Sequence, residues 1–112
     1  MNSKAIIALA IICAALCAAD LITGWAKAVI NKNLSSTKSR NGIIKKGCMI
    51  LVIGLCYGVD FLLEVNIFYE IMVVYYSLNE ALSIVENLTE MGIPIPKTIK
   101  ERLEKEKEGL EK

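Results

Sequence analysis

AIIALAIICAALCAADLITGWA, residues 5–26, holds a single charged side chain, Asp20. The uninterrupted apolar part, Ala5 to Ala19, is too short to cross a bilayer. With Leu21 to Ala26 beyond Asp20 the segment reaches the roughly 20 residues that a spanning helix needs. The pattern also has features of a secretory signal: Lys4, an apolar run, then small residues at Cys17 and Ala19. Apolar sequence resumes at once with Leu21-Ile22 and two further apolar segments follow, so the reading favours a retained helix over a cleaved leader.

Composition agrees with a membrane assignment. The 112-residue chain is 54% apolar with a mean hydropathy of +0.48, above the 45–50% apolar content of ordinary soluble domains. Its net charge of +1 conceals a strong segmental division. Residues 1–46 hold seven Lys or Arg and one acid, and residues 47–96 hold six acids and no base. Residues 97–112 mix six bases with five acids.

Two more apolar segments follow, from about Gly47 to Leu63, interrupted by Asp60, and from about Val65 to Val85, carrying Glu70 and Glu80. The expected fold is therefore an all-α membrane protein. Residues 1–96 form a domain of three transmembrane helices (about 5–30, 47–63 and 65–88), and 97–112 form a short charged cytoplasmic helix. An acid at the centre of a span costs about 2.5–3.5 kcal/mol, whereas each Leu, Ile, Val or Phe returns about 0.3–0.6 kcal/mol. Asp20 and Asp60 lie towards helix ends, where the cost falls. The third helix inserts least securely, and such helices gain by burying their polar faces against one another.

The stretch Asn31 to Lys46, NKNLSSTKSRNGIIKK, contains Lys32, Lys38, Arg40, Lys45 and Lys46 without an acid. The positive-inside rule assigns this loop to the cytoplasm. Three spans then leave the N-terminus outside, an acidic turn around Glu64 to Glu70 outside, and the C-terminus in the cytoplasm. A basic cluster beside a membrane helix is read as a topology and lipid-headgroup signal, not as a nucleic-acid interface. Met91 to Pro96 ends the third helix because neither Pro94 nor Pro96 continues it cheaply. Thr98 with Glu101 fits a capping box that opens the tail helix. Pairs such as Glu101/Lys105 and Lys107/Glu111 have the spacing of intrahelical ion pairs.

Small residues at four-residue spacing, Ala14 and Ala18 in the first helix and Gly54 and Gly58 in the second, have the form of helix-packing faces, within or between subunits. On the third helix Asn79, Glu80, Ser83, Glu86 and Asn87 share one side, opposite Leu78, Leu82 and Val85. Polar groups facing hydrocarbon are costly, so this stripe must face water, protein or headgroups. With Asp20 and Asp60 it forms the candidate polar pore or helix-contact face.

Catalysis is not indicated. The chain has no His, its four Cys form no Cys-x-x-Cys pair, and no phosphate-binding Gly loop occurs. No metal or cofactor is implied, and the cysteines read as small packing residues.

Together these residues resemble a known family. Asp20-Leu-Ile-Thr-Gly24, Leu34-Ser35-Ser36 with Lys38, Gly42-Ile-Ile-Lys45-Lys46 and Asp60 are similar to the toxin-secretion/phage-lysis holin family. So are Asn79-Glu80-x-x-Ser83-Ile84-x-Glu86-Asn87 and Gly92-Ile93-Pro94-Ile95-Pro96. The likeness covers roughly residues 18–103 and rests on the order of these elements. It implies a phage or prophage protein of the bacterial cytoplasmic membrane, in contact with lipid, that oligomerises and opens lesions releasing an endolysin or a large toxin. Two other classes stay open: a small multidrug-type transporter, which has four helices and a very short tail, and a non-conducting membrane adaptor.

Overall fold

The computed structural model describes residues 2–112, and among them every regular element is helical. Four helices follow in chain order: α1 (Ser3–Ile30), α2 (Ser36–Leu63), α3 (Phe68–Glu90) and α4 (Lys97–Glu111). α1 and α2 are long and apolar enough to cross a membrane. α3, with three of its four acids in its second half, does not join them on that test.

Local chemistry sets the boundaries. The Asn2 side chain caps α1 by accepting from the Ala5 amide at 2.8 Å, and Ser35 caps α2 by accepting from Lys38 at 3.2 Å. α1, α2 and α3 all end on a left-handed residue: Lys32 (φ 54°), Glu64 (φ 55°) and Gly92 (φ 88°). After each, the next amide reaches back to a carbonyl in the last turn: Asn33 to Ala28, Val65 to Asp60, Ile93 to Leu88. These are Schellman closures, and only at Gly92 is the left-handed conformation free of a side-chain penalty.

Three boundaries differ from expectation. α2 begins at Ser36, not near Gly47, so Lys38, Arg40, Lys45 and Lys46 lie on helix and the true connection is residues 31–35. The hydropathy pattern marked where apolar sequence starts, while the Ser35 cap marks where the helix starts. α3 begins at Phe68, not Val65, because residues 64–67 make the turn. The Thr98–Glu101 capping box does not form. α4 opens at Lys97 behind Pro96 with no side-chain cap.

α3 is the hub. It runs parallel to α1 along most of its length, with Tyr69 beside Ile6 and Glu90 beside Lys27. α2 is antiparallel to both and touches α1 only sparingly. α4 folds back antiparallel along another flank of α3. There Lys107 Nζ donates to Asn79 Oδ1 at 2.8 Å and lies 5.7 Å from the Tyr75 ring centroid, while the Tyr75 hydroxyl donates to Glu111 at 3.3 Å. The expected Glu101/Lys105 and Lys107/Glu111 pairs give way to Lys100–Glu104 and Arg102–Glu106. Lys107 and Glu111 are turned to α3 instead.

The distribution of apolar surface is inverted relative to a water-soluble bundle. Only Cys13, Tyr69, Val73 and Leu82 are buried hydrophobics among the described residues, and Cys13, Tyr69 and Val73 pack with Ile6, Leu9, Cys17, Ile53 and Tyr76. Large side chains such as Ile11, Ile22, Ile50, Leu55 and Leu62 are more than half exposed along α1 and α2. In water such a surface is untenable; against lipid it carries no hydrophobic penalty.

Candidate functional site: a buried ion triad between three helices

Asp20 on α1, Lys46 on α2 and Glu80 on α3 converge inside this apolar shell. Lys46 Nζ donates to Asp20 Oδ2 at 2.8 Å and to Glu80 Oε2 at 2.6 Å. Side-chain exposure is only 12% for Lys46, 15% for Asp20 and 4% for Glu80. The antiparallel α1–α2 hairpin explains the first pair, since Asp20 and Lys46 lie thirteen residues on either side of Asn33. Apolar side chains on the outer faces, Leu21, Ile22, Trp25, Ile43 and Ile44, continue beyond the triad towards the α1–α2 connection. The triad therefore lies below the level where the apolar surface ends.

A hydrogen-bonded extension continues one turn along. Buried Asn87 donates to Asp20 Oδ1 and to Thr23 Oγ1, each at 3.0 Å, and Thr23 donates to the Ala19 carbonyl at 2.8 Å. Ser83 lies within reach of the Asp20 carboxylate. At the rim Lys27 pairs with Glu90 at 3.0 Å, both partners substantially exposed. No buried side-chain polar atom among the described residues lacks a partner.

Two carboxylates on one ammonium, out of water, form a high-stakes arrangement. Each ion loses several kcal/mol of hydration on burial, and the pairing repays it only while Lys46 stays in place between the two carboxylates. Removing Lys46 would leave two like charges side by side.

The structure divides the face expected from the sequence. It brings Asp20, Glu80, Ser83 and Asn87 together, turned inward. Asn79 is turned to α4 and bonded to Lys107, and Glu86 is exposed. Asp60 is elsewhere altogether, at the opposite end of α3. Buried there, it accepts from the amides of Ile67 (3.3 Å), Phe68 (2.9 Å) and Tyr69 (2.9 Å). It is thus the anionic cap of α3, whose own N-cap residue, Ile67, has no acceptor to offer. Beside it the Tyr69 hydroxyl donates to the Ile6 carbonyl at 2.8 Å.

Of the packing residues, Ala14, Ala18 and Gly54 are exposed and Gly58 is half-buried. A Cβ at either glycine would meet nothing within 4 Å, so these positions make no close helix contact within the chain. Of the basic residues, Lys32, Lys38, Arg40 and Lys45 are exposed, while Lys46 is drawn inside as the cation of the triad.

The model of the bacteriophage holin family matches residues 4–108. The chain belongs to that family. A probable holin of Bacillus phage phi105 is 36% identical over 85 residues, covering 75% of this chain and 63% of that protein. An uncharacterised 14.9 kDa protein of Clostridium perfringens is 35% identical over 86 residues, covering 75% of this chain and 65% of that protein. An uncharacterised Bacillus subtilis protein is 36% identical, covering 76% and 61%. The holin-family chain thus spans just under two thirds of the length of these relatives. No solved structure matches it. Family membership and the two apolar helices make it a membrane protein.

Proposed function

We propose that the chain acts as a holin: it accumulates in the bacterial cytoplasmic membrane, associates with copies of itself and opens lesions through which an endolysin or a large toxin leaves. The observation that carries the reading is the inversion of surface and interior. Lipid-compatible side chains cover α1 and α2, while a charged, fully paired core holds α3 between them.

In this reading α3 is the third crossing. It accompanies α1 from Ile6 to Lys27, and two of its four acids are paired by neighbouring helices, Glu80 with Lys46 and Glu90 with Lys27. The basic α1–α2 connection faces the cytoplasm, which sets the N-terminal end of α1 outside and α4 on the cytoplasmic side. α4 carries ten charged residues in fifteen and is too short to cross. Its contact with Tyr75 and Asn79 therefore requires that this flank of α3 be turned from hydrocarbon, towards water or towards neighbouring copies. That flank, with Asn79 and exposed Glu86, is the side of the chain that would line an opening. Exposed Ala14, Ala18 and Gly54, with half-buried Gly58, supply faces where helices of different copies approach closely.

Opening would begin at the triad, where three helices depend on a single side chain. The charge of α4 separates the chain from a four-span transporter.

The test is induced expression in a bacterium with growth and entry of an impermeant dye followed together. An abrupt, delayed loss of the barrier is expected; drug resistance without lysis would point to a transporter and overturn the reading. Glu80→Leu should shift the time of lysis, and unchanged timing at a normal membrane level would remove Glu80 from the mechanism.

A further inference from the structure

Because α1 and α2 touch sparingly, a cleft of about 670 Å³ opens between the last turns of α1 and the first turns of α2. Its two ends differ in character. Towards the membrane interior the walls are apolar, formed by Leu21, Trp25 and Ile43. Towards the α1–α2 connection they are polar and cationic, formed by Ser35, Ser39, Lys27 and Lys38. Trp25, 61% exposed, stands where the two characters meet, the position that an indole takes at a membrane–water interface. Glu90 also lines the cleft, but its carboxylate is engaged by Lys27, whose ammonium retains further donors. Lys38 makes no ion pair among the described residues, and no acid occupies the first turn of α2.

We propose that this cleft is a binding site for an anionic phospholipid, its phosphate held by Lys38, Lys27 and the hydroxyls of Ser35 and Ser39, and an acyl chain lying along Leu21, Trp25 and Ile43. The gradient of the cleft matches that of the lipid, apolar below and anionic above. Basic pockets between membrane helices on the cytoplasmic side take headgroups of this kind. Gly42 provides the depth: a Cβ there would meet nothing within 4 Å, so the space beside it belongs to the cleft and not to a packed neighbour. The proposal rests on the chain lying in a membrane, not on its forming lesions.

Trp25 is the single tryptophan of the chain and lines the site, so it reports directly. The full chain is reconstituted in phosphatidylcholine vesicles containing a minor fraction of either brominated phosphatidylglycerol or brominated phosphatidylcholine, and Trp25 quenching is compared. The anionic lipid should compete for the site about fivefold better per mole, the factor that one lysine near an anionic surface supplies. Lys38→Gln should lower that preference towards unity. Gly42→Leu, which fills the cleft without changing charge, should abolish it. Equal quenching by the two lipids in the unaltered chain overturns the proposal. So does a preference that survives Gly42→Leu, which would mean diffuse attraction to a basic surface. Loss of the preference in inorganic phosphate, but not in chloride of equal ionic strength, would assign the site to a free anion and also overturn it. The assay reads lipid contact and not permeability, so its outcome is independent of the lytic reading.

Discussion

At one end of the three-helix core a carboxylate binds amides of its own neighbourhood; at the other an ammonium holds carboxylates from helices distant in sequence. Asp60 reaches Ile67, Phe68 and Tyr69, seven to nine residues away, and Tyr69 is tied to an Ile6 carbonyl. Lys46 reaches Asp20 and Glu80, twenty-six and thirty-four residues away. The first end is fixed by short-range bonds to backbone, which form whenever the turn forms. The second depends on side chains alone, and both of its carboxylates need the one ammonium. A pivot and a clasp result: α3 is anchored where it begins and held shut where it approaches the α1–α2 connection.

The largest effect is expected from opening the clasp. Lys46→Met leaves two buried carboxylates without a cation, and breaking a buried pair in this way costs about 3–5 kcal/mol. Unfolding in detergent, followed by circular dichroism and Trp25 emission, should show the loss, and lysis should come earlier after induction. Unchanged stability would mean that the triad is hydrated and not a clasp. Asp60→Ala tests the pivot and should cost about 1–2 kcal/mol, the worth of a helix cap. Hydrogen exchange should locate the damage at Ile67, Phe68 and Tyr69 while the region around Glu80 keeps its protection. Loss of protection at both ends would merge the two regions into one cooperative unit. The smallest change belongs to Lys27→Gln at the exposed rim, within about 1 kcal/mol. A larger loss would extend the clasp outward to Glu90.

Much of the architecture was legible because hydropathy and helix breakers act locally. The apolar runs of α1 and α2, the stop at Met91 to Pro96 and the charged last helix follow from residues read in order. Lys46 was hidden among the basic residues of a presumed loop, since counting charges for topology does not separate the lysine beside the apolar run from those in water. The hairpin arithmetic around Asn33 that pairs it with Asp20 becomes available only once α2 is known to start at Ser36. Asp60 was grouped with the other membrane acids because a cap depends on where a turn points a carboxylate. Its available signal was the absence of a capping side chain at Ile67. The polar stripe of α3 was visible as a periodicity, but periodicity does not say which of Asn79 and Glu80 turns towards α1 and which towards α4.

The six residues from Met91 to Pro96 that join α3 to α4 also set how firmly the last helix is held. A segment on so short a tether stays near its docking face at an effective concentration on the order of millimolar. Its few contacts, Lys107 with Asn79 and Tyr75, and Glu111 with Tyr75, therefore need supply little affinity to keep the flank covered. If copies associate as proposed, a helix arriving from another copy would have to match that local concentration to displace α4, and crowding in the plane of a membrane is the condition under which such concentrations are reached. On the proposed holin reading, occupancy of the α3 flank would gauge how densely the chain has accumulated.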